Sequence, residues 1–587
     1  MTQQLTTEIL VVGGGTGGTA AAIQAARCGI QTILVSEFPW LGGMLTSAGV
    51  CAPDGNELLP WQTGLWGQFL RALQTRQKGG LANSWVSMFS YHPQVGAKIF
   101  ADWVEALPNL HWIKGQIPLE VLCQGNQVTG VRFADFLIKA QITLDGTELG
   151  DILPLAEVTY RWGWELKKEF NEPSAPDSEN ELTQRYPVQS PTWVVLLQDY
   201  GEGTTAPKIE AEENSCFEGA WQGYGEEEFL NYGRLTDSLL MINWPQRGND
   251  YGENLQRLVV SDKAKKEFHQ EAINHSLSFA RYIQTHLSSR YGLAEGIFPH
   301  SLGNGALALH PYYRESRRLQ GLEIITEQDI LPMNERSFVA PLPKTSQGEV
   351  TSIAIGNYPN DHHYPGINFL LQPKSLMWGG RWTGTPFTIP FHALVPASTE
   401  GLLVCEKNIS VSHITNGSTR LQPLVMNIGQ AAGIAAALCI KSQCQPWELP
   451  IRKLQNALLT DAYAPAAIIP LFNLPPEHPE WLQWQYYYLE NPEAYPQQGN
   501  CPCRNAQTTF NSDKETISGI FQKQNSGEYR LEPNKHQVIL RQNLRIVTLH
   551  PEVHQQLTDY PHHKSISISG QYNSSGNWFT AEKIISG

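Results

Sequence analysis

What the chain lacks narrows its function first. It has no basic tract, and its acidic residues outnumber Lys and Arg to a net charge of −14 over 587 residues, which argues against nucleic acid as a partner. No apolar run reaches the roughly 18 residues of a membrane-spanning helix. The N-terminus runs almost directly into strand-like sequence, with no basic n-region or apolar h-region. A soluble, cytoplasmic protein is the expectation. The nine cysteines are an odd count, and no C-x-x-C pair occurs among them. That disfavours disulfide-reductase chemistry, a disulfide framework and a zinc site. No internal repeat stands out. Charged residues are few at 17%, whereas 17 Trp and 21 Tyr point to aromatic-lined surfaces or to bulk core packing. The length exceeds one compact core, so two or three domains are expected.

Against these absences stands residues 9–37. Leu5 to Val12 is an apolar run suited to a buried parallel strand. Gly13, Gly15 and Gly18 follow in Gly-x-Gly-x-x-Gly spacing, with Gly17 between them. Ala20 to Arg27 reads as a small-residue helix, and Gln31 to Val35 as a second strand. The glycines permit a tight turn, backbone approach to a pyrophosphate and close helix–strand packing. The helix N-terminus offers free N–H groups and a positive dipole end. Glu37, nineteen residues past Gly18, stands where an acid accepts from a ribose hydroxyl. A dinucleotide site is therefore expected, and the acid favours FAD or NAD over NADP. Gly303-Asn304-Gly305 lacks a preceding strand, so a second nucleotide domain is not expected.

Further on, Gly42, Gly43 and Met44 lie in a small-residue stretch that suits backbone approach to a flat ligand or an ordinary Gly turn. Leu65–Gln77 and His92–Leu107 read as helices. Leu110–Lys114, Glu120–Cys123, Val128–Phe133 and Ala140–Leu144 read as strands. From about 155 to 350 the periodicity weakens, apart from a long helix over Asp262–Arg290. Strand signals return at Thr351–Ile355, Phe387–Pro390 and Leu402–Cys405, ahead of a small-residue helix at Met426–Ala437. Residues 446–505 are Pro- and aromatic-rich, as a surface-wrapping segment would be. Residues 510–587 alternate polar and apolar at Ile517–Phe521, Gln537–Leu540, Ile546–Leu549, Ser565–Ser569 and Trp578–Ile584.

The Gly-rich unit, Leu41–Thr46, Thr147–Asp151, Tyr313–Arg318 and the closing block from Ile409 to Gly433 occur in this order. Together, over residues 5–445, they resemble the FAD-dependent oxidoreductases of the glutathione-reductase-like flavoprotein superfamily. The resemblance implies an α/β fold: a Rossmann-like FAD-binding domain (1–154 and 351–445) with an inserted substrate domain (155–350). A linker (446–509) and a small C-terminal β-domain (510–587) would follow. It also implies that the isoalloxazine ring lies between Gly42-Gly43 and a helix opening at Gly429. There Gln430, Ala431, Ala432 and Gly433 would supply N–H groups to the flavin edge. The chain departs from the family pattern at Glu406, where Gly is usual, at His392, and at Asp145-Gly146-Thr147.

The implied chemistry is hydride transfer from a small organic substrate to flavin N5, with oxygen, a quinone or a protein as acceptor. The rivals are an isomerase or lyase without net redox change and a non-enzymatic flavin-binding protein. Hydride loss needs a proton-accepting group. His363, in Asp361-His362-His363, is a base that a carboxylate could hold, or part of a polar surface loop. A metal there lacks a third ligand at helical or turn spacing. His413 faces the ring or is a satisfied core histidine. Arg314 and Arg420 are candidate anion holders; for Arg314 a structural ion-pair network with Glu315, Arg317 and Arg318 is the alternative.

Overall fold

The structure, a computed structural model, describes residues 2–213, 215–503, 514–534 and 543–586. Its centre is a mixed sheet built on β1 (Gln3–Val12), with β2 (Thr32–Ser36), β3 (Leu110–Lys114), β4 (Glu120–Gln124), β5 (Gln127–Arg132) and β6 (Phe136–Asp145). The order is β3-β2-β1-β6-β5-β4. β1 runs parallel to both β2 and β6, so Val12 stands between Val35 and Asp145. Burial on both faces explains why Ile9–Val12 is apolar without alternation. β5 covers the first half of β6 in antiparallel register. The second half pairs in parallel with β7 (Leu402–Val404), Val404 opposite Asp145. Thus some 250 intervening residues leave the sheet and return to it, carrying a three-stranded antiparallel sheet (Val195–Asp199, Leu239–Ile242, Tyr291–Leu293) and helix α2 (Asp262–His286).

Helix α1 (Thr16–Arg27) packs against helix α3, which spans Gln422–Ser442. This corrects the expectation of a helix opening at Gly429. A Cβ at Gly429 would stand 2.1 Å from Gly17 O, and one at Gly433 would stand 2.4 Å from Ala21 O. Two small residues four apart share a helix face, so this stripe lets two helix backbones touch. At 21 residues α3 is also long and apolar enough to cross a membrane, contrary to the sequence expectation, but 89% of its apolar window is buried inside the protein.

Residues 446–505 do not simply wrap the surface. Ala464, Ile468, Ile469, Leu471, Phe472 and Leu474 belong to the main core, and Ala464 O accepts from Gln430 Nε2 at 2.7 Å. At the C-terminus, Glu515–Lys523, Tyr529–Pro533, Leu544–Val547, Trp578–Ser586 and Ser565–Asn573 close, in that order, into a barrel with its own apolar core. The expected strand Gln537–Leu540 lies outside the described residues. Thr548 N–H donates to Gly379 O at 2.9 Å and Asn573 Nδ2 to Ser84 O at 2.8 Å, seating the barrel on the rest of the chain.

Candidate functional site

The C-terminal ends of β1, β2 and β6 open onto a cavity of about 410 Å³, lined among others by Gly13, Gly15, Glu37, Gly146, Lys265 and Tyr313, a size usual for a small-molecule site. Gly13 has φ +104°, and a Cβ there would lie 2.3 Å from Gly146 O. Glu37 projects from the end of β2 into this space. Enclosure raises its carboxyl, and Lys265 partly opposes the rise. Gly42 and Gly43 are stitched to the Gly-rich turn: Thr16 Oγ1 donates to Gly42 O at 2.8 Å, and Gly42 N–H to Gly14 O at 3.1 Å. Met44, next in the chain, is fully buried. His310 stacks on Phe38 at 4.8 Å and bonds Ser47 Oγ at 3.0 Å. Burial lowers its pKa, which keeps the ring neutral.

These features fit the adenosine end of the FAD that the resemblance implies. The acid at the β2 end and Glu148, whose buried Oε1 has no partner among the described residues, line the one cavity. At the diphosphate position the chain provides an anion of its own. Glu406 Oε2 accepts the Gly17 N–H at 2.6 Å. Lys407 Nζ bridges Glu406 Oε1 at 3.1 Å and Glu148 Oε2 at 2.6 Å.

The closing segment departs from expectation. Gln430, Ala431, Ala432 and Gly433 lie in the middle of α3, where their N–H groups are spent within the helix. They offer none to a cofactor. Gln430 instead accepts from Leu65 N–H at 2.9 Å. The free N–H groups belong to the first turn, from Gln422. Leu421, its N-cap, lies beside Gly55, where an added Cβ would also meet Tyr358 at 3.7 Å.

That helix start borders a second polar region. His363 Nδ1 bonds Asp250 Oδ2 at 2.8 Å, and its Nε2 bonds Asp361 Oδ2 at 2.9 Å. Arg420 Nη2 donates to Asp361 at 3.1 Å, and its Nη1 to Tyr312 OH at 2.6 Å. Burial alone would raise the Asp361 carboxyl, but His363 and Arg420 outweigh it and hold Asp361 below the ordinary range. The Asp361 side chain keeps 40% of its exposure and Asp54 is half-buried, so the two stand in a recess open to solvent. Asp54 has no hydrogen bond to a described residue. Burial, reinforced by Glu57, pushes its carboxyl well above the usual range, against Arg381 and Arg420. Around them Asn360 Oδ1, Ser418 Oγ, Arg420 Nε and Gln422 Oε1 are buried without partners among the described residues. Such a concentration marks a place built to meet polar groups.

The four residues singled out from sequence fare differently. His363 and Arg420 meet at Asp361, in a half-buried loop. Arg314 is no anion holder: at 1% exposure it spends its fork on Ser190 O (2.6 Å), Thr192 Oγ1 (2.9 Å), Asn243 Oδ1 (3.2 Å) and Asp250 (3.1 Å). Arg314 is structural, but not through the expected network: it pairs with Asp250, Arg317 with Asp151, and Arg318 with Glu315 and Glu165. His413 is fully enclosed between Glu315 (2.9 Å), Tyr364 OH (2.6 Å) and the Trp164 ring (4.0 Å), a satisfied core histidine. Sequence reasoning missed Asp54. Its Pro53-Asp54-Gly55 context reads only as a turn. Residues 309–318 join the two regions: His310, Tyr313 and Arg317 line the cavity, while Tyr312 and Arg314 reach the recess network. Among the described residues no cluster could hold a metal ion.

The family model described as FAD dependent oxidoreductase matches residues 8–458. Among solved structures the chain is similar to a geranylgeranyl bacteriochlorophyll reductase-like protein from Thermoplasma acidophilum, at 10% identity over 77% of this chain and 83% of that one, with a TM-score of 0.34. It is similar to Aquifex aeolicus GidA at 20% identity over 24% and 25% of the two chains, with a TM-score of 0.17. To L-proline dehydrogenase from P. horikoshii the identity is 13% over 35% and 64%, with a TM-score of 0.24. The chain thus spans about a quarter of the length of GidA, and scores this low carry nothing about its activity.

Proposed function

The chain belongs to the FAD-dependent oxidoreductase family, matched over residues 8–458, and from that premise we propose that it oxidises a small organic alcohol or amine in the recess around Asp54 and Asp361. FAD is its cofactor, and supplies the hydride acceptor, N5. The Gly13–Gly18 turn and Glu37 would hold the adenosine diphosphate end. The first turn of α3, at Leu421–Gln422, presents a positive dipole end to the recess.

The observation that carries this reading is Asp361, an ionised carboxylate fixed by His363 and Arg420 and still open to a ligand. It accepts a hydrogen bond from the substrate hydroxyl or amine and orients it. Asp361 takes that proton as hydride leaves, and Asp54, held in its acid form by burial, donates a hydrogen bond to the substrate. Two carboxyls in one site with pKa values pushed in opposite directions are the pattern of divided acid–base work. His363 and Arg420 are positioning residues, and Asp250 with Arg314 fixes His363 from behind. Since both Arg forks are committed within the protein, a neutral or cationic substrate group suits the recess better than a carboxylate. Without a second nucleotide motif, re-oxidation falls to oxygen, a quinone or a protein.

Anaerobic mixing of the FAD-loaded protein with alcohols and amines tests this. A substrate bleaches the flavin in the wild type, and Asp361→Asn, which removes the proton acceptor, slows bleaching by about 10²–10⁴-fold. A second reading, proton relocation without net redox change, rests on the same carboxyl pair. Turnover with the flavin spectrum unchanged would favour it.

A further inference from the structure

We propose that Glu406 makes FAD capture proton-linked: as a carboxylate it occupies the N–H that the cofactor's diphosphate needs, and as a carboxylic acid it donates to that diphosphate. The inference rests on the FAD assignment.

The geometry is specific. Gly17 has one N–H, near the start of α1, and Glu406 Oε2 takes it at 2.6 Å. The same oxygen would lie 2.6 Å from a Cβ on Gly15, so the carboxylate lies along the face of the turn whose glycines keep it clear for a diphosphate. Glu406 is fully buried, and a Cβ on Gly17 would stand 1.7 Å from Cys405 O. The side chain is therefore walled in beside the turn.

The charge balance around it is short of cations. Among the described residues Lys407 alone is ion-paired to Glu406 and Glu148. His310, Asp151, Glu37 and Tyr313 act on Glu148, and Cys405, itself beside Asp145, acts on Glu406. The first turn of α1 carries no acidic side chain. A diphosphate arriving here adds negative charge to two carboxylates that share one ammonium. Protonating Glu406 relieves the conflict and converts a competing acceptor into a donor. Burial, opposed by Lys407 and reinforced by Glu148, already pushes Glu406 up to about 7, within reach of that change.

The test titrates cofactor-stripped protein with FAD, following flavin fluorescence, at about pH 6 and about pH 8. Wild-type affinity weakens up to about tenfold per pH unit above neutrality, and mixing in weak buffer at the higher pH takes up about one proton per FAD. E406Q, which donates without titrating, binds at least as tightly with a flat pH profile. E406G, which removes the competing acceptor, is also flat and guards against a misfolded amide variant. A flat wild-type profile, or variants as pH-dependent as the wild type, overturns the proposal while leaving FAD in place. Failure of all three proteins to bind FAD at either pH would remove the FAD assignment and this inference together.

Discussion

Arg314→Leu separates a structural arginine from a substrate-holding one. The guanidinium makes four contacts in the interior, to Ser190 O, Thr192 Oγ1, Asn243 Oδ1 and Asp250, all between 2.6 and 3.2 Å. Asp250 is 3% exposed. Truncation leaves its charge buried with His363 and Thr192 as remaining partners. Removing one member of a buried pair costs about 3–5 kcal/mol, a large share of the roughly 5–15 kcal/mol by which proteins are stable. The sign with pH follows. In the wild type, burial would raise Asp250, but Arg314 and His363 hold it below its ordinary value. Its stabilising effect is therefore present above the unfolded-state pKa of about 3.9 and is lost as pH falls through the lower folded value. Without Arg314 the burial effect gains, the folded pKa rises, and any excess over the unfolded value destabilises the variant as pH rises. Urea denaturation at several pH values reads both effects, and adding Asp250→Leu recovers most of the loss because no buried charge is stranded. A variant with an unchanged midpoint and a raised KM would refute this reasoning and return Arg314 to the substrate.

Two other substitutions probe the cofactor side. Glu37→Ala weakens FAD binding by about tenfold, the worth of about one hydrogen bond donated to a charged acceptor, measured by fluorescence titration. Gly429→Val destabilises the protein by several kcal/mol, because its Cβ must stand 2.1 Å from Gly17 O. Thermal denaturation and the expressed soluble fraction check it. A stable Gly429→Val protein with weakened flavin binding would instead restore a cofactor role to that glycine.

The opening unit was legible because its signals are local: an apolar run, glycines at fixed spacing and an acid at the end of the next strand. Phe387–Pro390 was also readable from its pattern, and the long helix ends at His286, four residues before the expected limit. The start of α3 was misplaced because the stripe of small residues at Gly429–Gly433 drew attention to the middle of the helix. Pro423, in its first turn, was the available signal. The recess could not be read from periodicity or spacing. Asp54, Asp250, Asp361 and Arg420 are far apart in the chain and meet only through the fold. The same folding buried His413 and Arg314, whose residue types alone suggested chemistry.

The most direct measurement is anaerobic reduction of bound flavin in Asp361→Asn. The substitution keeps the size of the side chain while removing the charge that His363 and Arg420 hold at 2.9 and 3.1 Å. The account predicts that FAD binding is unchanged and that substrate-driven bleaching falls by about 10²-fold or more. Bleaching at the wild-type rate, with FAD equally bound, would contradict the assignment of the recess as the site of oxidation.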